Sequence, residues 1–197
     1  MPLIRRDPPG PGGISGQGDL NSADPAERRH AVRSLGHDAL AVPLLMTALE
    51  REGDAAVQEA IFTALEIIPE AAAPLASLLR SDDAALRNGA VEALQAMPSA
   101  VQPLLPGLLA DGDGDVRILA VEVVRCLPAG ETVALLCGLL ERETDPNVCL
   151  AAVEVLAESG TPEAVPALRR LAGRFPSQPM LPFAVKVAVE RISGTAS

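Results

Sequence analysis

The sequence predicts an all-α fold of stacked helical hairpins, and three observations predict it. First, a block of about thirty residues recurs along the 197-residue chain. If the aliphatic that opens each block's helix is position zero, the series is Glu27 (degenerate), Val57, Leu86, Val116 and Val148, and eight residues on it is Leu35, Leu65, Leu94, Val124 and Leu156. Second, Asp24, Asp54, Asp83, Asp113 and Asp145 stand three residues before zero, and Ala31, Ile61, Ala90, Ala120 and Ala152 stand four after it. Third, the apolar spacing is helical throughout, with no two-residue alternation of the kind a half-buried strand needs. A repeat of this size cannot bury its apolar face alone. It stacks on its neighbours, which favours an extended binding surface over one enclosed pocket.

Composition narrows the chemistry. Hydrophobic residues make up 48% of the chain and aromatics only 2%, with no Trp or Tyr, so the core is one of Leu, Val and Ala. The net charge of -10 repels polyanions and there is no aromatic platform for bases, which argues against nucleic acid as a partner. Cys126, Cys137 and Cys149 lie inside apolar helical patterns and read as free buried thiols of a reducing compartment. No apolar run is long enough for a membrane span and none resembles a signal peptide, so a cytoplasmic protein without a membrane partner is expected.

The elements follow in order. Residues 1 to 22, with Pro8, Pro9 and Pro11 among five glycines, contain nothing periodic and are expected to be a flexible tail; residues 23 to 197 are expected to form a single repeat domain. Each block then reads as two helices. In the fourth, Asp113 caps a helix from about Val116 to Leu127, Pro128-Ala129-Gly130 stops it, and a second helix runs from about Glu131 to Glu141. The other blocks place Pro43, Pro74, Pro103 or Pro166 near the second helix's start, where the first-turn amides need no intrahelical partner. A last helix, Pro182 to Ile192, closes the stack.

Segments such as Asp113-Gly-Asp-Val-Arg-Ile-Leu-Ala120 and Asp83-Ala-Ala-Leu-Arg-Asn-Gly-Ala90 resemble the HEAT-repeat family, and more narrowly its short bacterial variety named after phycobilisome lyases. The resemblance covers residues 24 to about 192. It implies a right-handed α-solenoid of about five hairpins plus a C-terminal capping helix, with the Asp-headed helices on the concave face. It also implies that Arg28, Arg87 and Arg117, one place after zero, pair with the capping aspartate of the neighbouring repeat. HEAT-like deoxyhypusine hydroxylases hold iron through His-Glu pairs, and this chain has no His-Glu dipeptide.

Several patterns could suggest a catalytic or metal site, and each has a structural reading. Asp111-Gly-Asp113-Gly-Asp115 imitates a calcium loop, with Glu122 at its twelfth position, but Val116 stands where the loop needs Gly and residues 116 to 122 belong to a helix. His30 and His37 are seven apart, too far for a helical metal pair. Lys186 is the only lysine, and no nucleophile–base constellation is visible. No catalytic residue, cofactor or metal is therefore expected.

The binding candidate is a surface. Six residues after zero stand Arg33, Thr63, Glu92, Glu122 and Glu154, and one turn earlier Arg29, Glu59, Asn88, Ile118 and Leu150. The candidate face comprises Asn88, Glu92, Ile118, Glu122, Arg125, Leu150 and Glu154. Adjacent helices lie about 8–10 Å apart while metal–oxygen bonds are about 2.0–2.6 Å, so these glutamates form a stripe and not an ion cage. Charge is segregated too: residues 111 to 163 hold eleven acids against three bases, residues 164 to 197 one acid against five bases.

The expected function is a non-enzymatic scaffold that binds a basic or amphipathic protein segment, in bacterial signalling or complex assembly, as a monomer or weak oligomer. The alternative implied by the family's name is a subunit of a bilin lyase or a chaperone of a chromophore-bearing partner.

Overall fold

The computed structural model describes residues 19–36, 38–175 and 177–194. The expected tail lies outside the described residues as far as position 18, as does His37. All regular structure among the described residues is helical. By compactness the chain divides into two units, Met1–Ala71 and Ala72–Ser197.

In the first unit, a 3-10 turn at Asp19–Asn21 packs on α1 (Pro25–Ser34), and α3 (Ala55–Leu65) packs beside α1 and against α2 (Val42–Leu49). α1 ends on Gly36, whose φ of +67° is the left-handed conformation that lets the chain reverse after a helix. Asp38 caps the next 3-10 turn, Ala39–Ala41, by accepting the amide of Leu40.

The second unit has two layers. One consists of α5 (Ala84–Gln95), α8 (Gly114–Val124), α10 (Pro146–Ser159) and α12 (Met180–Gly194), each packed on the next. The other contains α4 (Ala72–Ser77), α6 (Pro98–Val101), α7 (Leu105–Leu108), α9 (Ala129–Arg142) and α11 (Val165–Leu171). α12 packs against both α10 and α11, so the terminal helix occupies the place of a further Asp-headed helix.

The repeating columns are the core. Val57, Val116 and Val148 at position zero, Leu65, Leu94, Val124 and Leu156 at plus eight, and Ala31, Ile61, Ala90, Ala120 and Ala152 at plus four are at most 1% exposed. Alanine fills plus four in four of the five blocks, with Ile61 in the other, and these alanines are fully buried on helices that pack side by side within each unit, so a larger side chain would overpack. All five aspartates are N-caps: Asp24, Asp54, Asp83, Asp113 and Asp145 each accept the amide two residues on, at 2.7–3.0 Å. α10 ends at Gly160, where a Cβ would lie 2.2 Å from the carbonyl oxygen of Leu156, so only glycine fits.

Several boundaries differ from expectation: α8 runs over Gly114–Val124 where the sequence predicts Val116 to Leu127, and α12 over Met180–Gly194 where it predicts Pro182 to Ile192. The third block's second helix is not continuous: α6 ends at Val101, and α7 resumes at Leu105. Pro98, Pro103 and Pro106 fall within nine residues there; each lacks an amide proton, and Pro103 forbids the i to i−4 bond that would carry α6 onward. In the fourth block the second helix starts at Ala129, two residues before Glu131, with Pro128 as its N-cap residue at ψ 144°. The proline that stops α8 thus also starts α9. The buried hydroxyl of Thr132 then donates to the carbonyls of Val124 and Leu127, satisfying the end of α8.

Candidate functional site

The turn before each Asp-headed helix is built by one device used five times. The residue two before each capping aspartate holds that aspartate's own amide: Ser22, Glu52, Ser81, Asp111 and Glu143 accept from Asp24, Asp54, Asp83, Asp113 and Asp145. Asp111 and Asp113 of the calcium-like sequence are therefore committed to amides, and Asp111 also pairs with Arg80. No group of three metal-ligating side chains occurs among the described residues.

The position-one arginines reach backward and forward from these turns. Arg28 donates to the carbonyl of Ser22, Arg87 to that of Ser81 and Arg117 to that of Asp111. Arg28 also forms a two-pronged pair with Glu52 (2.7 and 2.8 Å), and Arg117 one with Glu143 (2.8 and 3.0 Å). This corrects the family-based expectation, since the hydrogen-bonded partner is a glutamate two residues before the next capping aspartate and not the aspartate itself. Glutamate's longer side chain offers both oxygens to the guanidinium fork, while the aspartate is occupied with its cap. The Arg28 guanidinium, with the amides of Asp54 and Gly53, holds the Glu52 carboxyl below its ordinary value. Burial pushes Glu143 the other way, yet Arg117 and the amides of Asp145 and Thr144 outweigh it, and that carboxyl too lies low. These arginines hold turns together and are spent on structure.

The candidate face belongs wholly to the second unit, on the side of α5, α8 and α10 that carries positions plus two and plus six. Asn88, Glu92 and Glu154 are exposed; Ile118, Glu122, Arg125 and Leu150 are half-buried. The middle of the stripe is not a free carboxylate. Arg125 donates from Nε to Glu122 at 2.7 Å and from a terminal nitrogen to Glu158. Glu158 is the member that reading by columns missed, although its place one turn after Glu154 on α10 puts it on the same face. The side chain of Gln95 donates to the carbonyl of Glu122 at 2.8 Å, tying α5 to α8 beneath the stripe. Glu92 and Glu154 have no ion-pair partner among the described residues. The face thus gathers four carboxylates and one guanidinium beside two aliphatic side chains.

The thiols are free. Cys149 is fully buried on α10, and burial pushes its thiol up to about 11, where it is no nucleophile at neutral pH. Cys126 and Cys137 are half-buried, and burial raises both. No single helix among the described residues is long and apolar enough to cross a membrane.

No curated protein matches the chain. Among the solved structures that match is the complex of CpcE and CpcF of phycocyanin lyase from Nostoc sp. PCC7120, with 18% identity and a TM-score of 0.41, covering 97% of this chain and 100% of the matched one. The family of HEAT repeats matches residues 19–98 and 101–178, which takes in the capping aspartates, the alanine columns and the hairpins described above. The chain belongs to the HEAT-repeat family.

Proposed function

We propose that the chain is a non-enzymatic scaffold that docks a basic, amphipathic segment of another protein on the open face of α5, α8 and α10. One observation carries this reading. Glu92 and Glu154 stand at equivalent places in the third and fifth repeats, on either side of the paired Glu122, exposed and without an ion pair among the described residues, so packing does not use them. Half-buried Ile118 and Leu150, one turn before Glu122 and Glu154, add apolar area that a docked segment would remove from water. Cationic side chains of the segment would meet the glutamates, and its apolar side would lie on the aliphatics. Interfaces of this kind draw association speed and orientation from charge, and residence time from apolar burial.

The probe is a helical peptide of Leu, Ala and Lys with its lysines on one face, followed by fluorescence anisotropy. In the triple variant Glu92→Gln, Glu122→Gln, Glu154→Gln, association should slow several-fold at low salt, with the difference shrinking as salt is added. Ile118→Ser and Leu150→Ser should instead speed dissociation. Unchanged affinity of the triple variant at low salt would reduce the stripe to a solvated face.

A further inference from the structure

We propose that the groove between α1 and α3 in the first unit is a second docking site, and that its occupant is an acidic amphipathic helix of a partner protein. The site goes beyond the face on α5, α8 and α10 and has the opposite chemistry.

The groove encloses about 410 Å³, within the range of about 300–1,000 Å³ typical of ligand sites. Its apolar part is made by Ala56, Ala60 and Ala64 on α3 and by Ile67 just beyond α3, which is 48% exposed, above Val32 of α1, which is itself buried. An aliphatic side chain of that size left half in water beside a groove is surface an occupant would cover. Arg29 and Arg33 form the polar rim on the α1 side. They are one turn apart on the same face, a spacing of about 5–6 Å. Two carboxylates one turn apart on an occupant helix have that same separation.

The state of the two arginines separates them from the third arginine of the same helix. Arg28, their neighbour on α1, is fully engaged with Glu52 and a backbone carbonyl. Arg29 and Arg33 have no carboxylate partner among the described residues. The opposite wall carries one acid, Glu59, which leaves the rim net positive in a chain of net charge -10. A planar guanidinium beside apolar surface suits a carboxylate better than it suits water, because its fork pairs both oxygens and it is weakly hydrated. A basic occupant, the kind proposed for the other face, would meet two unpaired cations here. The recognised chemistry is therefore a helix with two acids one turn apart and small apolar side chains between them.

The test uses the full chain, labelled with nitrogen-15, and a helical peptide of Leu, Ala and Glu with its glutamates on one face. Titration should shift amides of α1 and α3, and anisotropy should show affinity that weakens with salt. Arg29→Ser with Arg33→Ser should weaken binding about tenfold or more, the scale of a lost charge-assisted contact. Thr63→Phe, at an exposed position of the groove, should block the peptide with both arginines intact and with an unchanged melting curve. The triple Gln variant of the other face should bind this peptide as the parent does, so either reading can fail alone. Amide shifts confined to α5, α8 and α10, no shifts at all, or equal binding by the double Ser variant would each overturn the proposal.

Discussion

Arg87 on α5 and Arg117 on α8 occupy the same place in successive repeats of the second unit, yet they are held differently. Both donate to the carbonyl two residues before their own capping aspartate, at 2.7 and 2.8 Å. Arg117 then grips Glu143, whose side chain is only 4% exposed. For Arg87 the corresponding place in the next turn is held by Asp111, one methylene shorter and paired with Arg80. The cap and the backward contact recur because each needs only residues within one turn. The forward clasp needs a glutamate some 26 residues on, so each junction between repeats either has it or lacks it. The capped turn of the repeat is thus built alike, while the strength of its junctions is set locally.

The comparison breaks or holds first on arginine removal. Arg117→Ala strands a buried carboxylate and should cost about 3–5 kcal/mol in urea unfolding. Arg87→Ala loses a single hydrogen bond to a carbonyl and should cost about 1–2 kcal/mol. Equal losses would show that the Glu143 clasp contributes nothing beyond the shared contact.

Acid gives the next largest effect. The Glu52 and Glu143 carboxyls lie below their ordinary value of 4.5 in the folded chain, so the unfolded chain takes up protons first as pH falls. The stability they lend is complete above about pH 4.5 and drains away as pH drops through their lowered native values. The melting temperature should fall steeply below about pH 4.5, and Glu143→Gln, already less stable at neutrality, should show a shallower fall over the same window. Parallel curves would remove Glu143 as a source of the acid sensitivity.

The smallest effect sharpens the comparison. Asp111→Glu should supply the missing methylene, keep the Asp113 amide bound as Glu52 and Glu143 do for theirs, and free an oxygen for Arg87. It gives up the pair with Arg80, whose side chain is 52% exposed, and exposed pairs contribute about 0–1 kcal/mol. The net change should be a gain of about 0.5–1 kcal/mol by thermal melting.

Much of this was legible in the sequence because it is local or periodic. A capping aspartate acts within its own first turn, and an alanine column shows itself by recurrence. The break between α6 and α7 was also written there, in Pro98, Pro103 and Pro106, but reading one proline per block as a helix start hid it. Other features depend on contacts that no period encodes. Whether Arg117 meets Asp145 or Glu143 turns on side-chain length and on which oxygens the backbone has already taken. That Arg125 neutralises the middle of the acidic stripe, drawing Glu158 into it, depends on how α8 and α10 pack side by side. The unpaired state of Arg29 and Arg33 is likewise visible only once their surroundings are known.

Cys149 turns this packing into a clock. Its thiol is sealed on α10, which packs against α8, α9 and α12, while Cys126 and Cys137 reach the surface in part. An alkylating reagent in the surrounding water finds two thiols without any helix moving, whereas the third becomes reactive only when the layer parts. The lag of the third modification behind the first two therefore reports how often this stack of helices opens, read from cysteines the chain already carries.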